Sequence, residues 1–286
     1  MLDDLPTLSQ TVDIHGLRAN KSLGQHFLLD MNVTDKIARL AAPLDGVNVA
    51  EIGPGPGGLT RALVLNGAQV LAIEMDKRFL APLDDIARAS GKLRVIHGNA
   101  LKVDIANELS GEIKIIANLP YNVGTKMLIN WLTAAPLFWS QAVLMFQKEV
   151  AQRVVATPQD KAYGRLAVLT QSVAAARIAF EVPARAFTPP PKVDSAVVVL
   201  DPLPEAERFS DLKLLGEVTM AAFGQRRKML RQSLKSTAKK YGLTAIEWCE
   251  ACEIDPQRRP ETLEVAAFQA LAGFVKQKAD AEASGA

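Results

Sequence analysis

The segment Val49-Ala50-Glu51-Ile52-Gly53-Pro54-Gly55-Pro56-Gly57-Gly58-Leu59-Thr60 sets the reading of the whole chain. An apolar run from Val47 to Ile52 ends in a cluster of glycines, and a helix-like stretch, Leu59 to Leu65, follows. Strand, tight glycine turn, helix is the order in which α/β proteins bring bare backbone up to a nucleotide-like ligand. A Cβ would obstruct both the turn and the ligand's approach. Gly53, Gly55 and Gly58 fit the dinucleotide fingerprint G-x-G-x-x-G. Gly53, Gly55 and Gly57 equally fit the G-x-G-x-G turn of S-adenosylmethionine enzymes. The turn alone does not choose between the two ligands.

Outward from that turn a βα rhythm continues. Gln69–Glu74, Leu93–His97, Ile113–Asn118 and Gln141–Gln147 read as strands. Helical stretches fall at 77–89, 125–133 and 148–156. Apolar strands alternating with helices predict a mostly parallel sheet covered on both faces. Ligands in such sheets sit at the carboxyl ends of the strands. Glu74 ends the second strand, where a carboxylate accepts from both hydroxyls of a ribose. Asn99 follows the third strand, placed to meet an adenine edge through its amide or to serve as a turn residue.

The fourth strand ends in Asn118-Leu119-Pro120-Tyr121. A hydride-transfer enzyme has no particular use for this tetrapeptide. A methyltransferase acting on an exocyclic amine does. The lone pair of such an amine is delocalised into its ring. Acceptors that hold the two N–H groups out of plane localise it, and Asn118 Oδ1 and the Leu119 carbonyl suit that task. Pro120 stiffens the turn, and Tyr121 offers a ring for a base to stack on. Farther on, Ala186-Phe187-Thr188-Pro189-Pro190-Pro191-Lys192-Val193-Asp194-Ser195 reads as a stiff extended segment. It would hold Phe187 opposite Tyr121 to sandwich a base, or else form a rigid connector with Phe187 in the core.

The flanks differ in character. Residues 1 to about 22 read as polar and irregular, and Asp30 or Asn32 caps a helix over 33–41. Helix at 162–172 precedes strand-like Arg177–Val182 and Ser195–Leu200. Beyond Asp201-Pro202-Leu203-Pro204-Glu205 the pattern is purely helical, over 211–223, 226–240, 244–253 and 262–278. This predicts an α/β domain over residues 1–205 and an all-helical domain over 206–286. Between Val218 and Ile246 there is no acid and there are seven bases: Arg226, Arg227, Lys228, Arg231, Lys235, Lys239 and Lys240. Arg227, Arg231, Lys235 and Lys239 recur every four residues, which on one helix makes a stripe. A stripe of one sign in a chain of net charge +2 points to phosphate contacts.

Composition narrows the remaining classes. The chain has 286 residues, 49% hydrophobic and 22% charged, enough to bury a full core. Asp3 and Asp4 stand where a secretory segment has a basic region, and no apolar run approaches a membrane span. A reduced, cytoplasmic protein is expected. Cys249 and Cys252 sit in a helical-looking stretch, and the three histidines, His15, His26 and His97, all lie far from them toward the start of the chain. A zinc site needs four ligands, so no metal is expected.

Seven motifs in this order are similar to those of the KsgA-type ribosomal RNA adenine dimethyltransferases, along nearly the whole chain. They are Gln25-His26-Phe27-Leu28, Glu51 to Thr60, Ile73-Glu74, Gly98-Asn99-Ala100-Leu101, Asn118 to Tyr121, Phe187 to Val197 and Phe223 to Arg231. The resemblance implies a class I S-adenosylmethionine-dependent methyltransferase fold, Rossmann-like, with a small helical C-terminal domain. It implies dimethylation at N6 of two adjacent adenosines near the 3′ end of 16S rRNA within the small (30S) ribosomal subunit, with S-adenosylmethionine as cofactor and a role in subunit biogenesis. By position, His26 and Leu28 line the methionine end, Gly53 and Gly55 form the turn, Glu74 holds the ribose and Asn99 faces the adenine. Asn118 and Tyr121 hold the target base beside the cofactor, with Phe187 stacking opposite. Arg226, Arg227, Lys228, Arg231 and Lys235 would contact RNA, and a monomer is expected. His26 and Asn99 depart from the Asn and Asp that many members carry there, which bears on cofactor affinity. The alternatives are a methyltransferase of the resistance type acting on large-subunit rRNA, and a non-catalytic assembly or transcription factor that keeps the fold.

Overall fold

The structure is a computed structural model, and it describes residues 2–19 and 25–284. Lys21 and Gly24 lie outside the described residues. Among the described residues there are nine strands: β1 (Phe27–Leu28), β2 (Asn48–Ile52), β3 (Gln69–Glu74), β4 (Leu93–His97), β5 (Ile113–Asn118), β6 (Gln141–Gln147), β7 (Ala174–Val182), β8 (Phe187–Thr188) and β9 (Ser195–Pro202). Seven of them form one sheet in the order β4-β3-β2-β5-β6-β9-β7. The β2–β3, β2–β5, β3–β4 and β5–β6 pairs are parallel, and β9 runs antiparallel to β6. The order reverses between β2 and β5, so their carboxyl ends flank the crevice where sheets of this kind take ligands.

Strands β2, β3, β5 and β6 are almost wholly buried because both faces are covered, which explains their near-continuous apolar sequences. Val49, Val70, Ile116, Val143 and Val199 pack with Ile37 and Leu63, from the helices Met31–Leu40 and Gly58–Leu65. Phe79, Leu83 and Ile86, from Lys77–Phe79 and the helix Leu80–Ser90, gather with Val95, Leu17 and Phe27.

The N-terminal stretch departs from the irregular coil expected of it. Leu8–Ile14 is a helix opened by a capping box: Thr7 Oγ1 accepts from Gln10 N at 3.3 Å, and Gln10 Oε1 accepts from Thr7 N at 2.8 Å. Its T-x-x-Q signature was present in the sequence. Asp30 does cap Met31–Leu40, accepting from Asn32 N at 2.9 Å.

Residue contacts divide the chain into two compact units, residues 1–151 with 177–201, and residues 152–176 with 202–286. Contrary to expectation, residues 152–176 and 202–205 are therefore not part of the α/β unit; the second unit holds them together with all of residues 206–286. Its core is built on Tyr163, Phe223 and Phe268, with ring centroids 5.8 and 5.3 Å apart, and on Trp248, whose Nε1 donates to Leu271 O at 3.0 Å. Cys249 is buried in the helix Ala245–Ala251, with Cys252 as its C-cap, and both thiols are free. Burial pushes the Cys249 and Cys252 pKa values up, to about 12 and about 11. Among the described residues no helix is long and apolar enough to cross a membrane.

The expected helix over 226–240 is broken. One helix, Leu212–Gly224, stops before the basic run, and residues 225–229 turn. Two short helices, Leu230–Ser233 and Lys235–Lys240, follow. The cause is tertiary. Leu230 N donates to Arg258 O at 2.9 Å and Arg231 N to Pro256 O at 3.0 Å. Those two donors would otherwise have closed bonds within a continuous helix. Arg227 therefore lies in the turn, Arg231 on the first short helix, and Lys235 and Lys239 on the second, so the four do not form a stripe on one continuous helix.

Candidate active site

A cleft of about 220 Å³ opens at the carboxyl ends of β2, β3 and β5. Among its lining residues are His26, Leu28, Gly53, Gly55, Glu74, Asn99, Asn118 and Tyr121. Eight positions that the sequence singled out are thus brought together from five separate stretches of chain.

The floor is backbone. Gly55 has φ +56°, a left-handed conformation that disfavours a side chain, and a Cβ built on it meets nothing within 4 Å. The space a side chain would fill belongs to the cleft, which is the cradle a ligand approaching bare backbone requires. Gly57, at φ +88°, has a different task. A Cβ there would lie 2.4 Å from Ile86 Cδ1, so this glycine lets the helix Gly58–Leu65 close against its neighbour.

Glu74 closes β3 and is 5% exposed. Its Oε2 accepts from Gly55 N at 3.1 Å and its Oε1 from Asp76 N at 2.8 Å. Burial raises its pKa, and those two backbone donors oppose the rise. Each oxygen keeps lone-pair capacity for a hydroxyl. Asp76 is pulled down to about 2, chiefly by hydrogen bonds from Arg78. Arg78 Nη2 lies 2.5 Å from its Oδ2, and Gln25 Nε2 donates to the same oxygen at 3.0 Å. Gln25 and Asp76, which the sequence reading did not select, thus join the glycine-turn side of the cleft to β1.

Glu51 was also passed over. It lies on β2 two residues before Gly53, is 1% exposed, and accepts from Thr60 Oγ1 at 2.7 Å. Burial, with Glu74 adding to it, pushes its pKa up to about 8. The signal was available: an acid inside an otherwise apolar strand marks a group with a partner or a task.

Asn99 occupies the turn after β4, where its Oδ1 accepts from Leu101 N at 3.0 Å. It is a turn residue and a lining residue at once. The Asn118–Tyr121 turn leaves β5 and opens the helix Gly124–Leu132, with Pro120 O accepting from Val123 N at 3.1 Å and Gly124 N at 3.0 Å. Tyr121 Oη lies 2.8 Å from Ser195 Oγ, and the Tyr121 and His26 rings have centroids 5.6 Å apart, tilted by 30°. The Tyr121 pKa is raised by burial, so the phenol stays protonated at neutral pH.

Phe187 is not brought to the cleft. It is 2% exposed and packs with Leu28, Val182, Val197 and Val199. The reason is local: β8 pairs antiparallel with β1, Leu28 opposite Phe187 and Phe27 opposite Thr188, and alternation along the strand turns Phe187 inward and Thr188 out. The connector reading of the proline segment describes its place here. Arg226, Arg227, Lys228, Arg231 and Lys235 belong to the second unit, and all five are exposed. Arg226 Nη2 donates to Lys161 O at 2.8 Å.

The donor set fits an S-adenosylmethionine-type ligand. A carboxylate with spare acceptor capacity faces the ribose position, bare glycine backbone lies beside it, and the apolar Leu28, Ile73 and Met75 flank the cleft.

A family model described as ribosomal RNA adenine dimethylase matches residues 16–273. The chain is 55% identical over 275 residues to the ribosomal RNA small subunit methyltransferase A of Maricaulis maris, covering 95% of each protein. It is 53% identical over 288 residues to the protein of the same description in Mesorhizobium japonicum, covering 96% of this chain and 99% of that one. Among solved structures, a dimethyladenosine transferase from Plasmodium falciparum superposes with a TM-score of 0.74 at 26% identity, covering 89% of this chain and 98% of that one. The 23S rRNA methyltransferase ErmE gives a TM-score of 0.64 at 23% identity over 88% of this chain and 100% of that one, a likeness of fold.

Proposed function

The chain belongs to the ribosomal RNA adenine dimethylase family, an S-adenosylmethionine-dependent class I methyltransferase fold, and from that premise we propose that it dimethylates N6 of two adjacent adenosines near the 3′ end of small-subunit rRNA. The observation that carries this reading is the Asn118–Tyr121 turn. It faces the same cleft as Gly55 and Glu74, so an amine acceptor site and a nucleoside site share one cavity. The relatives described as small-subunit methyltransferases support the choice of RNA.

When bound, the cofactor supplies a methyl group on a sulfonium, which leaves as a neutral thioether. The protein's part is binding and orientation. Glu74 accepts the ribose hydroxyls. The Gly53–Gly57 backbone, His26 and Leu28 line the methionine end, and Asn99 borders the adenine. Asn118 Oδ1 and the Leu119 carbonyl hold the N6 hydrogens of the target out of plane, so the nitrogen lone pair points along the line of transfer. Tyr121 stacks on the target ring. No base is needed before transfer, because the amine sheds its proton afterwards.

The exposed bases of the second unit would meet rRNA phosphates, with residues 206–286 acting as the RNA-binding part of that unit and the first unit, 1–151 with 177–201, as the methyltransferase domain. The substrate is the RNA inside an immature 30S subunit, in the cytoplasm, and the enzyme works as a monomer. RNA of this kind is read largely by shape.

The test is methyl transfer from labelled S-adenosylmethionine to small subunits lacking the adenosine dimethylation, with large subunits alongside and the product identified by mass spectrometry. Dimethyladenosine in small-subunit RNA alone is expected. Label in the large subunit would reassign the substrate. Cofactor binding without transfer would leave an assembly factor.

A further inference from the structure

The aromatic group expected opposite Tyr121 is in the core, yet the segment that carries it still reaches the target site through two other contacts. Ser195, the first residue of β9, is fully buried and paired opposite Gln147 of β6. Its backbone is therefore fixed by the sheet, and its hydroxyl lies 2.8 Å from the Tyr121 hydroxyl. His26 also neighbours the ring, 5.6 Å from Tyr121 centroid to centroid. Its Nδ1 is 2.7 Å from the Pro189 carbonyl. A carbonyl only accepts, so Nδ1 carries the hydrogen, which fixes the orientation of the imidazole. Rings whose centroids are 5.6 Å apart are already in the range of a direct aromatic pair, so no base fits between His26 and Tyr121.

We propose that Ser195 is a positioning residue for Tyr121, and that the Ser195–Tyr121 hydrogen bond and the Pro189–His26 hydrogen bond together lock the ring on which the target adenine stacks. This rests on the reading of Tyr121 as the stacking residue. A phenol ring turns about two torsions, and a stacked base tolerates little tilt. Tying the far end of the ring to the sheet removes that freedom before the substrate arrives, which is preorganisation of the site. Residues 187–195 then serve the target site through Ser195 and a backbone carbonyl, and Phe187 serves by anchoring the segment.

The experiment joins a double-mutant cycle with a spectroscopic readout. Ser195→Ala, Tyr121→Phe and the double variant are compared for methyl transfer to unmethylated small subunits, for affinity toward S-adenosylhomocysteine by calorimetry, and for thermal stability. Each single change should lower kcat about tenfold, the scale of one hydrogen bond plus lost orientation. The double variant should fall no further than the worse single, cofactor affinity should stay within about twofold, and Ser195→Thr should restore the rate. The chain has three tyrosines, so carbon-13 tyrosine NMR resolves the ring directly. In Ser195→Ala the Tyr121 signal should shift and its ring flips quicken, while Tyr163 and Tyr241 stay put. Additive losses, an equal loss of cofactor affinity, or an unmoved Tyr121 signal would each overturn the proposal. The NMR result stands even if wild-type protein fails to methylate small subunits, which would overturn the substrate reading alone.

Discussion

The two halves of the cleft are held by different means. The cofactor half is backbone and neighbours in sequence: glycines 53 to 58, with Glu74 reaching back to Gly55 N. The target half is assembled across the chain by side-chain contacts: Tyr121 to Ser195, 74 residues apart, and beside Tyr121 His26, which also borders the methionine end, to Pro189, 163 residues apart. A site built on a turn tolerates change around it but not within it. A site built on long-range contacts is set by partners that touch no ligand.

This contrast can be broken most sharply at Asn118. In Asn118→Ala, methyl transfer should fall about 10³-fold, the upper range for loss of one preorganised acceptor. Affinity for S-adenosylhomocysteine, by calorimetry, should change by less than about tenfold. Equal losses in both would merge the halves. The reciprocal change, Glu74→Ala, should weaken cofactor affinity about 10- to 100-fold, the range for hydrogen bonds to a charged group. At saturating cofactor it should keep most of kcat; a kcat loss with affinity intact would put Glu74 in the target half.

A third test leaves the cleft. Arg227→Glu with Arg231→Glu should weaken small-subunit binding and reduce the slope of log affinity against log salt by about 2, one per phosphate contact removed. An unchanged slope would make these bases a solvated surface. Arg227 lies in the turn and Arg231 on the short helix, so the single variants would show whether the break in the helix separates their roles.

The smallest effect is expected at Glu51, beneath the cofactor half. Its folded pKa of about 8 lies above the ordinary value of 4.5. The folded state thus keeps a proton that the unfolded chain releases. That stability is fully present below pH 4.5 and is lost as pH rises toward 8. Glu51→Gln keeps an acceptor for Thr60, so it should raise Tm at pH 8 by a few degrees and flatten the fall in Tm between pH 5 and 8. A variant that follows the wild-type curve would show that Glu51 is ionised in the fold.

The same contrast explains what could be read from sequence. The expected bounds of β3, β5 and β6 match the structure, because strands buried on both faces write themselves as apolar runs bounded by turns; β4, a half-exposed edge strand, is legible only from its place in the βα rhythm. Gly55, Glu74 and Asn118 followed from their places at strand ends. Phe187 was placed in the cleft because its motif names an aromatic, whereas its direction is set by a two-residue ribbon with β1 that no periodicity reports. Ser195 was invisible for the same reason: a serine heading an apolar strand acquires its meaning from Tyr121. The helix over 226–240 failed because Arg258 and Pro256 carbonyls capture its donors, a tertiary contact that overrides propensity.

The pairing of β1 with β8 also has a consequence in time. Residues 27–28 leave the ribosome early and must wait for residues 187–188 before their ribbon exists. At a synthesis rate of about 5–20 residues per second the wait is roughly 10–30 s. A nascent chain can complete the glycine turn and β3 well before then, but its target wall stays open until β9 has begun. On the proposed reading of Tyr121, the ring that stacks the target is therefore fixed only when the α/β unit is nearly finished.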